Sequence, residues 1–321
     1  MKIRIALVTI LITALIPTAS AAIKVKPAKP TIQALSPMGS GDQFADFTIN
    51  PTTVAIVGTI ENGLGNLITS PTLGGSDGFI YAVDKKGVRL WDLRLGSSED
   101  DIAMAITKDK VGYFWVAGAT SKPAELATPD TATATPDTAN LNPDGVVLDS
   151  LFLPTNSLTR LVIWKIGISG QIAETYFYDS QGLIVPSGLA FDGTKLAISG
   201  KFTASDLVTR RFDLELDTQT TFSNFTSSDL TKIKRQEIAT IKAGANRLKS
   251  FISKSTIIGI PSWRAKKPTP VLVKYTRKGV ALSAKSFSGK VRKIQWQSGI
   301  GAVVLTEVNA INEIYLISKM A

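Results

Sequence analysis

Short runs of alternating hydrophobic and polar residues, separated by turn residues, recur along most of the chain. The clearest set occupies residues 74–121: a run at Phe79–Val83, a second ending at Leu95, an acidic turn, and two more runs that end at Gly118. Alternation with a period of two, rich in β-branched residues, is typical of half-buried strands. This segment therefore predicts four short antiparallel strands.

Weaker copies of the same set can be traced at 161–200, 211–259 and 271–306. Tandem units of four short strands are typical of β-propellers. The N-terminal part, 31–58, offers three strands, and Glu313–Ser318 at the C-terminus offers one more. We therefore predict an all-β fold, a β-propeller of five four-stranded antiparallel blades, whose ring closes when the C-terminal strand joins the N-terminal three. The last strand of each unit is expected to end at the following residues: Gly58, Gly118, Gly200, Gly259 and Thr306.

The ends and the longest insertion suggest how the chain is divided. Residues 1–21 have the basic start, apolar stretch and small-residue end of a secretory signal peptide, and 22–30 form a Lys/Pro tether. A single propeller domain is predicted for 31–321, with a Thr/Pro/Asp-rich loop at 121–144. No other stretch approaches the about 18 apolar residues of a membrane span. We expect a secreted or envelope protein without a transmembrane segment in its mature form.

Residues 74–121 also resemble the repeat of a family of bacterial secreted β-propellers. That repeat combines a Gly-Gly-x-Asp entry, an Asp-x-x-Gly turn, a strand with tryptophan, a Leu-Gly-x-x-x-Asp-Asp turn and a closing Val-x-Gly-x-Thr-Ser. The matching residues in this chain are Gly74, Gly75, Asp77, Phe79, Asp84, Gly87, Trp91, Leu95, Gly96, Asp100, Asp101, Ala103, Ala105, Val116, Gly118, Thr120 and Ser121. The resemblance implies the fold and brings no shared catalytic residues, because the family is defined by architecture.

The composition removes several kinds of active site. The chain contains no histidine and no cysteine, which excludes Ser-His-Asp and Cys-His catalysis and any metal site with His or Cys ligands. Carboxylate chemistry remains, so the alternative function is hydrolysis of extracellular carbohydrate by two carboxylates facing each other in a concave cavity. The pool for that alternative is Asp77, Asp84, Asp92, Glu99, Asp100 and Asp101. Because most of these lie in predicted turns, we favour a non-catalytic protein with no catalytic residues.

Two further groups of residues have chemistry of interest. Glu99, Asp100 and Asp101 could supply some oxygen ligands of a calcium ion, and no other cofactor is expected. Phe79 and the tryptophans at 91, 115, 164 and 296 are predicted to fill the core between sheets, although several on one exposed face would instead make a sugar-stacking platform.

The distribution of charge points more directly to a function. Residues 231–293 carry seventeen Lys or Arg against one acid, Glu237, in a chain of net charge +10. Neighbouring units would gather these cations into one basic sector that attracts anionic envelope or extracellular polymers. The predicted binding residues are Lys232, Lys234, Arg235, Arg264, Lys266, Lys267, Arg292 and Lys293. Sequence-specific nucleic-acid recognition has no support, and a third possibility is a structural propeller that docks another protein. The sequence leaves the ligand and the oligomeric state open.

Overall fold

The computed structural model describes residues 23–33, 42–61, 67–121, 158–217, 221–230, 240–309 and 311–318. In these residues every regular element is a β-strand, and none forms a helix able to cross a bilayer. The expected signal peptide, Lys232, Lys234, Arg235 and nearly all of the predicted 121–144 loop lie outside the described residues. An all-β fold is thus confirmed.

The strands form five separate sheets. Two short strands come first, β1 (Val25–Pro27) and β2 (Ile32–Gln33). Sheet 1 contains β3 (Gln43–Ile49), β4 (Val54–Ile60), β5 (Asp77–Val83) and β6 (Arg89–Leu95), and sheet 2 contains β7 (Asp101–Lys108), β8 (Phe114–Thr120), β9 (Arg160–Ile166) and β10 (Ile172–Asp179). Sheet 3 contains β11 (Leu183–Phe191), β12 (Lys195–Thr203), β13 (Thr209–Asp217) and β14 (Phe222–Asp229). Sheet 4 contains β15 (Ile241–Ala243), β16 (Asn246–Ser253), β17 (Thr269–Tyr275), β18 (Ala281–Ser286) and also β1, whereas sheet 5 contains β19 (Lys290–Gln297), β20 (Gly301–Val308), β21 (Ile311–Ile317) and also β2.

The order of strands corrects the predicted repeat boundaries. The unit at 74–121 combines β5 and β6 of sheet 1 with β7 and β8 of sheet 2, so it straddles two sheets. The C-terminal strand β21 does pair with an N-terminal strand, β2, with Ile314 opposite Ile32. The prediction that three N-terminal strands complete this sheet is wrong, because β3 and β4 belong to sheet 1. Three C-terminal strands and one N-terminal strand form sheet 5.

One predicted strand is absent. Thr256–Gly259 was expected to be a strand but lies in the connection between β16 and β17, where Ile260 N donates to Ile257 O and Trp263 N donates to Ile260 O. These turns place Ile257 and Ile260 over one face of sheet 4, in a buried cluster with its strands. Of the two isoleucines in the predicted strand, Ile257 is therefore buried by a folded-back loop, whereas Ile258 is 70% exposed.

The predicted Lys/Pro tether contains β1, which lies parallel to the edge strand β18 with Val25 opposite Ala284. Ala28 N donates to Ser286 O in sheet 4, and Thr31 N donates to Ile314 O in sheet 5, both at 2.8 Å. The segment 23–33 therefore crosses from one sheet to the next and holds both. We call it the N-terminal strap.

A repeated device links the first two strands of four sheets. The first strand bulges where it faces Gly58, Gly118, Gly200 or Thr306 of the second strand. At the three glycines an added Cβ would lie 1.8–2.1 Å from a carbonyl oxygen of the bulged strand and would also meet an aromatic ring of the third strand. Glycine is required there by close approach. Five residues were predicted to end the last strand of a unit. Four of them instead lie within the second strand of a sheet, opposite the bulge.

Apolar clusters join neighbouring sheets at four places. The first strands of sheets 5, 1, 2 and 3 lie against one another in that order, and β15 of sheet 4 lies against β19 of sheet 5. The clusters between them include Phe47 with Val303, Ile80 with Phe114, Leu161 with Phe212, and Leu272 with Tyr315. Burial of these side chains is the main source of stability for a chain without disulfides.

Sheets 3 and 4 share no apolar cluster in the described parts of the chain. The face of sheet 3 that points away from sheet 2 carries an ion pair between Lys195 and Glu215 at 2.8 Å and another between Arg211 and Asp213 at 2.7 Å. One face of sheet 4 is covered by its own β16–β17 connection. Each sheet therefore completes this face without apolar packing against the other.

Candidate anion-binding site

A cleft of about 460 Å³ opens at one end of sheet 4. The turn between β15 and β16 forms one wall and Arg277, in the turn between β17 and β18, contributes to the other. Lys242 and Arg247 line the cleft together with the polar side chains of Thr240 and Asn246. We call it the basic cleft, because the described residues that line it include three cations and no acidic residue.

Strand pairing brings two of these cations together. Lys242 and Arg247 are direct cross-strand partners in the β15–β16 hairpin, whose turn includes Gly244 at a φ of +60°. Like charges directly opposite each other in a sheet are destabilising by up to about 1 kcal/mol. In the described residues no carboxylate forms an ion pair with either of them. Such an arrangement is favourable once an anion lies between the two side chains.

The loop-end cations of the predicted sector lie at the opposite end of sheet 4. Arg264, Lys266 and Lys267 are exposed in the β16–β17 connection. Because β16 has eight residues, about 25 Å of sheet separates this end from the basic cleft. Arg264 Nη1 donates to the carbonyl oxygens of Ser255, Pro261 and Trp263, so its guanidinium holds the loop.

The last two predicted binding residues are paired with acids. Arg292 contacts Glu307 on the neighbouring strand at 3.0 Å. Lys293 Nζ contacts Asp46 Oδ1 of sheet 1 at 2.5 Å and lies over the ring of Phe47. Asp46 sits at the bulge of β3, and its Oδ2 accepts a hydrogen bond from Ile106 N of sheet 2 at 3.1 Å. Lys293 and Asp46 thereby connect three sheets.

The acidic turn proposed for calcium binds backbone amides instead. Asp100 Oδ1 accepts from Ser76 N at 3.0 Å, and Asp101 Oδ2 accepts from Ser97 N at 2.6 Å. Burial raises the pKa of Asp101, and the charge of Asp77 adds to this rise. No group of three or more Asp or Glu side chains able to hold a metal occurs in the residues that the structure describes. Calcium at Glu99–Asp101 stays a prediction.

Five of the six carboxylates of the hydrolytic alternative, all except Glu99, accept hydrogen bonds or form ion pairs within the protein. Asp77 forms an ion pair with Arg94 at 2.7 Å and accepts from Gly74 N. Asp84 accepts from Lys86 N and Val88 N in its hairpin, and these bonds lower its pKa. Asp92 accepts from Thr69 N and Ser70 N. None of the six lines the basic cleft, so no observation favours this alternative.

Arg277, Thr240 and Asn246 were missing from the predicted site. Lys242 and Arg247 were included in the basic sector but not among its binding residues. The signal that could have found them is the pairing of two hairpins: in an antiparallel sheet the turns that follow the first and third strands lie at the same end. Two such turns occur here. The turn Ala243–Asn246 lies between Lys242 and Arg247, and the turn Thr276–Val280 contains Arg277.

No family model matches the chain, and no curated protein matches it. Solved structures do match over most of its length. They include a protein of unknown function from Dyadobacter fermentans, 7% identical over 94% of this chain and 83% of that one, with a TM-score of 0.36. A luciferin-regenerating enzyme is 11% identical over 89% and 94%, with a TM-score of 0.34. The subtype N10 neuraminidase-like protein of a little yellow-shouldered bat strain is 8% identical over 85% and 79%, with a TM-score of 0.34. None of these names is carried over to this chain.

Proposed function

We propose that this chain is an exported, non-catalytic binding protein that attaches to an anionic polymer of the envelope or the extracellular space. The observation that carries the proposal is the basic cleft, where Lys242, Arg247 and Arg277 converge without an acidic lining residue. Residues 240–293 around it contain fourteen Lys or Arg and no Asp or Glu. A field of one sign over a concave surface attracts polyanions and speeds their encounter.

The mechanism is rigid display of cations to a repeating anion. The paired strands hold Lys242 and Arg247 side by side, so little side-chain entropy has to be lost when successive anionic groups bind. Exposed Lys266 and Lys267 lie at the other end of sheet 4, about 25 Å away, and add only a weak long-range attraction. The affinity of such a surface falls steeply with salt, because binding releases the counterions of the polymer.

The architecture that we propose for this display is a single β-propeller whose five sheets are the blades of one ring. The neighbouring first strands, the four apolar junctions and the β2–β21 pairing support this arrangement. In this ring the polar outer face of sheet 3 lies at the junction with sheet 4, where the described residues form no apolar cluster. In a ring of this kind, the basic cleft is held on a rigid frame.

Retention on a dextran sulfate column under a NaCl gradient tests the proposal. The variant Lys242→Gln/Arg247→Gln/Arg277→Gln removes the three cations of the cleft. We expect it to elute at lower salt, with affinity for free dextran sulfate reduced at least about tenfold and the slope of log affinity against log salt reduced by about 2 to 3.

The matched control is Lys254→Gln/Lys266→Gln/Lys267→Gln, which removes the same charge from exposed positions at the loop end of sheet 4. Arg264 is left unchanged because its guanidinium holds that loop. We expect the control to lose less than about threefold in affinity. Equal losses in both variants would mean that net charge alone governs retention, and absence of retention at low salt would refute the function.

A further inference from the structure

A second cleft, of about 290 Å³, lies between sheets 2 and 3. Its lining differs in kind from that of the basic cleft, because aromatic rings form much of the wall. Trp115, Tyr176 and Phe191 line it, with Tyr113, Lys165 and Glu174 beside them. We call it the aromatic cleft.

The aromatic rings are arranged in parallel. The planes of Trp115 and Tyr176 differ by 10° with centroids 6.0 Å apart, and those of Trp115 and Phe191 differ by 22° with centroids 6.1 Å apart. All three side chains are partly exposed, whereas Trp164 of the same sheet is only 4% exposed. Trp115 and its neighbours therefore present ring surface to the cleft in addition to packing against the core.

Polar contacts keep these rings in place. Trp115 Nε1 donates to Asp109 Oδ2 at 3.0 Å, and Asp109 Oδ1 accepts from the amides of residues 111–113. Lys165 Nζ lies 4.9 Å from the ring centroid of Tyr113 and 5.4 Å from that of Trp115, and it contacts Glu174 Oε1 at 2.7 Å. The cleft is thus organised before any ligand enters, which reduces the entropy lost on binding.

We propose that the aromatic cleft binds a neutral pyranose unit of a glycan. The apolar C–H face of a pyranose packs against flat aromatic rings, and its hydroxyl groups need donors and acceptors at the rim of the same pocket. Lys165 supplies a donor, and Glu174 supplies an acceptor with a side chain 44% exposed. A volume of about 290 Å³ is at the lower end of ligand pockets, which suits a small ring.

Charge separates this ligand from that of the basic cleft. Asp109, Glu174 and Asp217 line the aromatic cleft against a single cation, Lys165, so a polyanion would be repelled. Lys165 already occupies the cation position over Tyr113 and Trp115, so a cationic ligand has no place there, and its contact with Glu174 balances that carboxylate. A neutral ligand is neither repelled by the carboxylates nor excluded by Lys165. The two clefts are expected to bind independently.

Isothermal titration calorimetry tests this with neutral oligosaccharides of glucose, mannose, galactose and xylose, each four to six units long. We expect at least one of them to bind the full-length mature chain and to change its tryptophan fluorescence, a change that Trp115→Leu should lose. Trp115→Leu should weaken that binding at least about tenfold, whereas Trp115→Phe, which keeps a flat ring, should weaken it no more than about threefold.

Three controls keep the test decisive. Trp296→Leu changes a partly buried tryptophan of sheet 5 and should leave the affinity unchanged. Lys242→Gln/Arg247→Gln/Arg277→Gln should also leave it unchanged, even where it abolishes retention on dextran sulfate. If Trp115→Leu fails to fold, Glu174→Gln replaces it, with an expected loss of about threefold or more.

The proposal is overturned if none of the neutral oligosaccharides binds at millimolar concentration. It is also overturned if binding is seen only with a hexamer of glucosamine, whose amines are cationic, or only with dextran sulfate. Binding that is unaffected by both Trp115→Leu and Glu174→Gln would place the sugar elsewhere on the protein.

Discussion

At the scale of single residues, the position that faces the bulge of the first strand is occupied by glycine in three of the sheets, and the same physical cause applies in each. The bulged first strand places a carbonyl oxygen where a side chain would begin, and an aromatic ring of the third strand closes the other side. In sheet 5 the bulge site is Thr306, whose direct partner on the third strand is Glu313 and whose hydroxyl lies 3.5 Å from Glu313 Oε2. The requirement for glycine therefore applies to the close approach seen in sheets 1, 2 and 3.

Gly118→Ala should destabilise the protein strongly. Its Cβ would lie 2.0 Å from Ile102 O and 2.5 Å from a ring carbon of Trp164, so backbone or ring must move. We expect a loss of about 2 to 4 kcal/mol in the free energy of unfolding, measured by urea denaturation. Gly279→Ala is the control: with nothing within 4 Å and a φ of +82°, only the conformational strain, about 1 to 2 kcal/mol, should appear. Equal costs in the two variants would contradict the close-approach argument.

Asp101 should make stability fall as pH rises. Burial raises its pKa above the ordinary 3.8, so the folded state holds this proton more tightly than the unfolded chain. Between the two pKa values the folded state binds more protons, and stability is lost with increasing pH. Relative to Asp101→Asn, the wild type should therefore lose stability as the pH is raised from 3 to 7 in urea titrations.

Asp84→Asn serves as the control of opposite sign. Bonds from Val88 N and Lys86 N lower the pKa of Asp84, so its contribution is present above the ordinary pKa and lost as the pH falls. The stability of the wild type relative to Asp84→Asn should therefore increase as the pH rises. If its stability relative to Asp101→Asn also increased with pH, Asp101 would not be desolvated.

At the scale of elements, alternation predicted most strands but not their assignment to sheets. β5 to β8 were found because each is a run of seven or eight residues between turn residues, although β5, β7 and β8 are buried on both faces rather than alternating. The boundary between sheets 1 and 2 falls between β6 and β7, and only contacts between distant strands decide this. β15 has three residues, too few for a periodic signal, and Thr256–Gly259 resembled a strand because a buried loop needs apolar residues such as Ile257 as well.

Removal of residues 23–29 from the N-terminal strap should weaken sheet 4. Ile23 and Val25 pack against its apolar cluster, and β1 covers the hydrogen-bonding edge of β18. We expect a loss of about 1 to 3 kcal/mol by urea denaturation, and aggregation detected by light scattering, since an open strand edge pairs readily with other chains. A Gly/Ser segment of equal length should behave like the deletion. Unchanged stability would show that the contacts of these residues with sheet 4 do not stabilise the protein.

At the scale of the whole molecule, charge was predicted more accurately in its amount than in its position. The excess of cations in 231–293 is evident from composition, but it predicted a single basic sector that includes Arg264, Lys266 and Lys267. Successive turns of an antiparallel sheet lie at opposite ends, so the cations are divided between two ends of sheet 4. Trp115 was predicted to fill the core, with a sugar-stacking platform as the alternative, and the sequence could not decide between them because the exposure of the ring depends on how sheets 2 and 3 pack against each other.

The contrast between the polar outer face of sheet 3 and the salt bridge that joins sheets 5 and 1 yields a final prediction. Lys195 and Lys293 each pair with a carboxylate, but the Lys195 and Glu215 side chains are 43% and 35% exposed, whereas Lys293 and Asp46 are 29% and 15% exposed and join two sheets. An exposed pair contributes at most about 0.5 kcal/mol, whereas a partly buried acid left without its partner costs about 1 to 2 kcal/mol. Lys195→Met should therefore be nearly silent and Lys293→Met destabilising in urea denaturation. Because both changes remove one ammonium and keep a side chain of similar length, the comparison isolates the environment, and raising the NaCl concentration should abolish the smaller effect first. If Lys195→Met costs as much as Lys293→Met, the outer face of sheet 3 is less exposed than the structure shows.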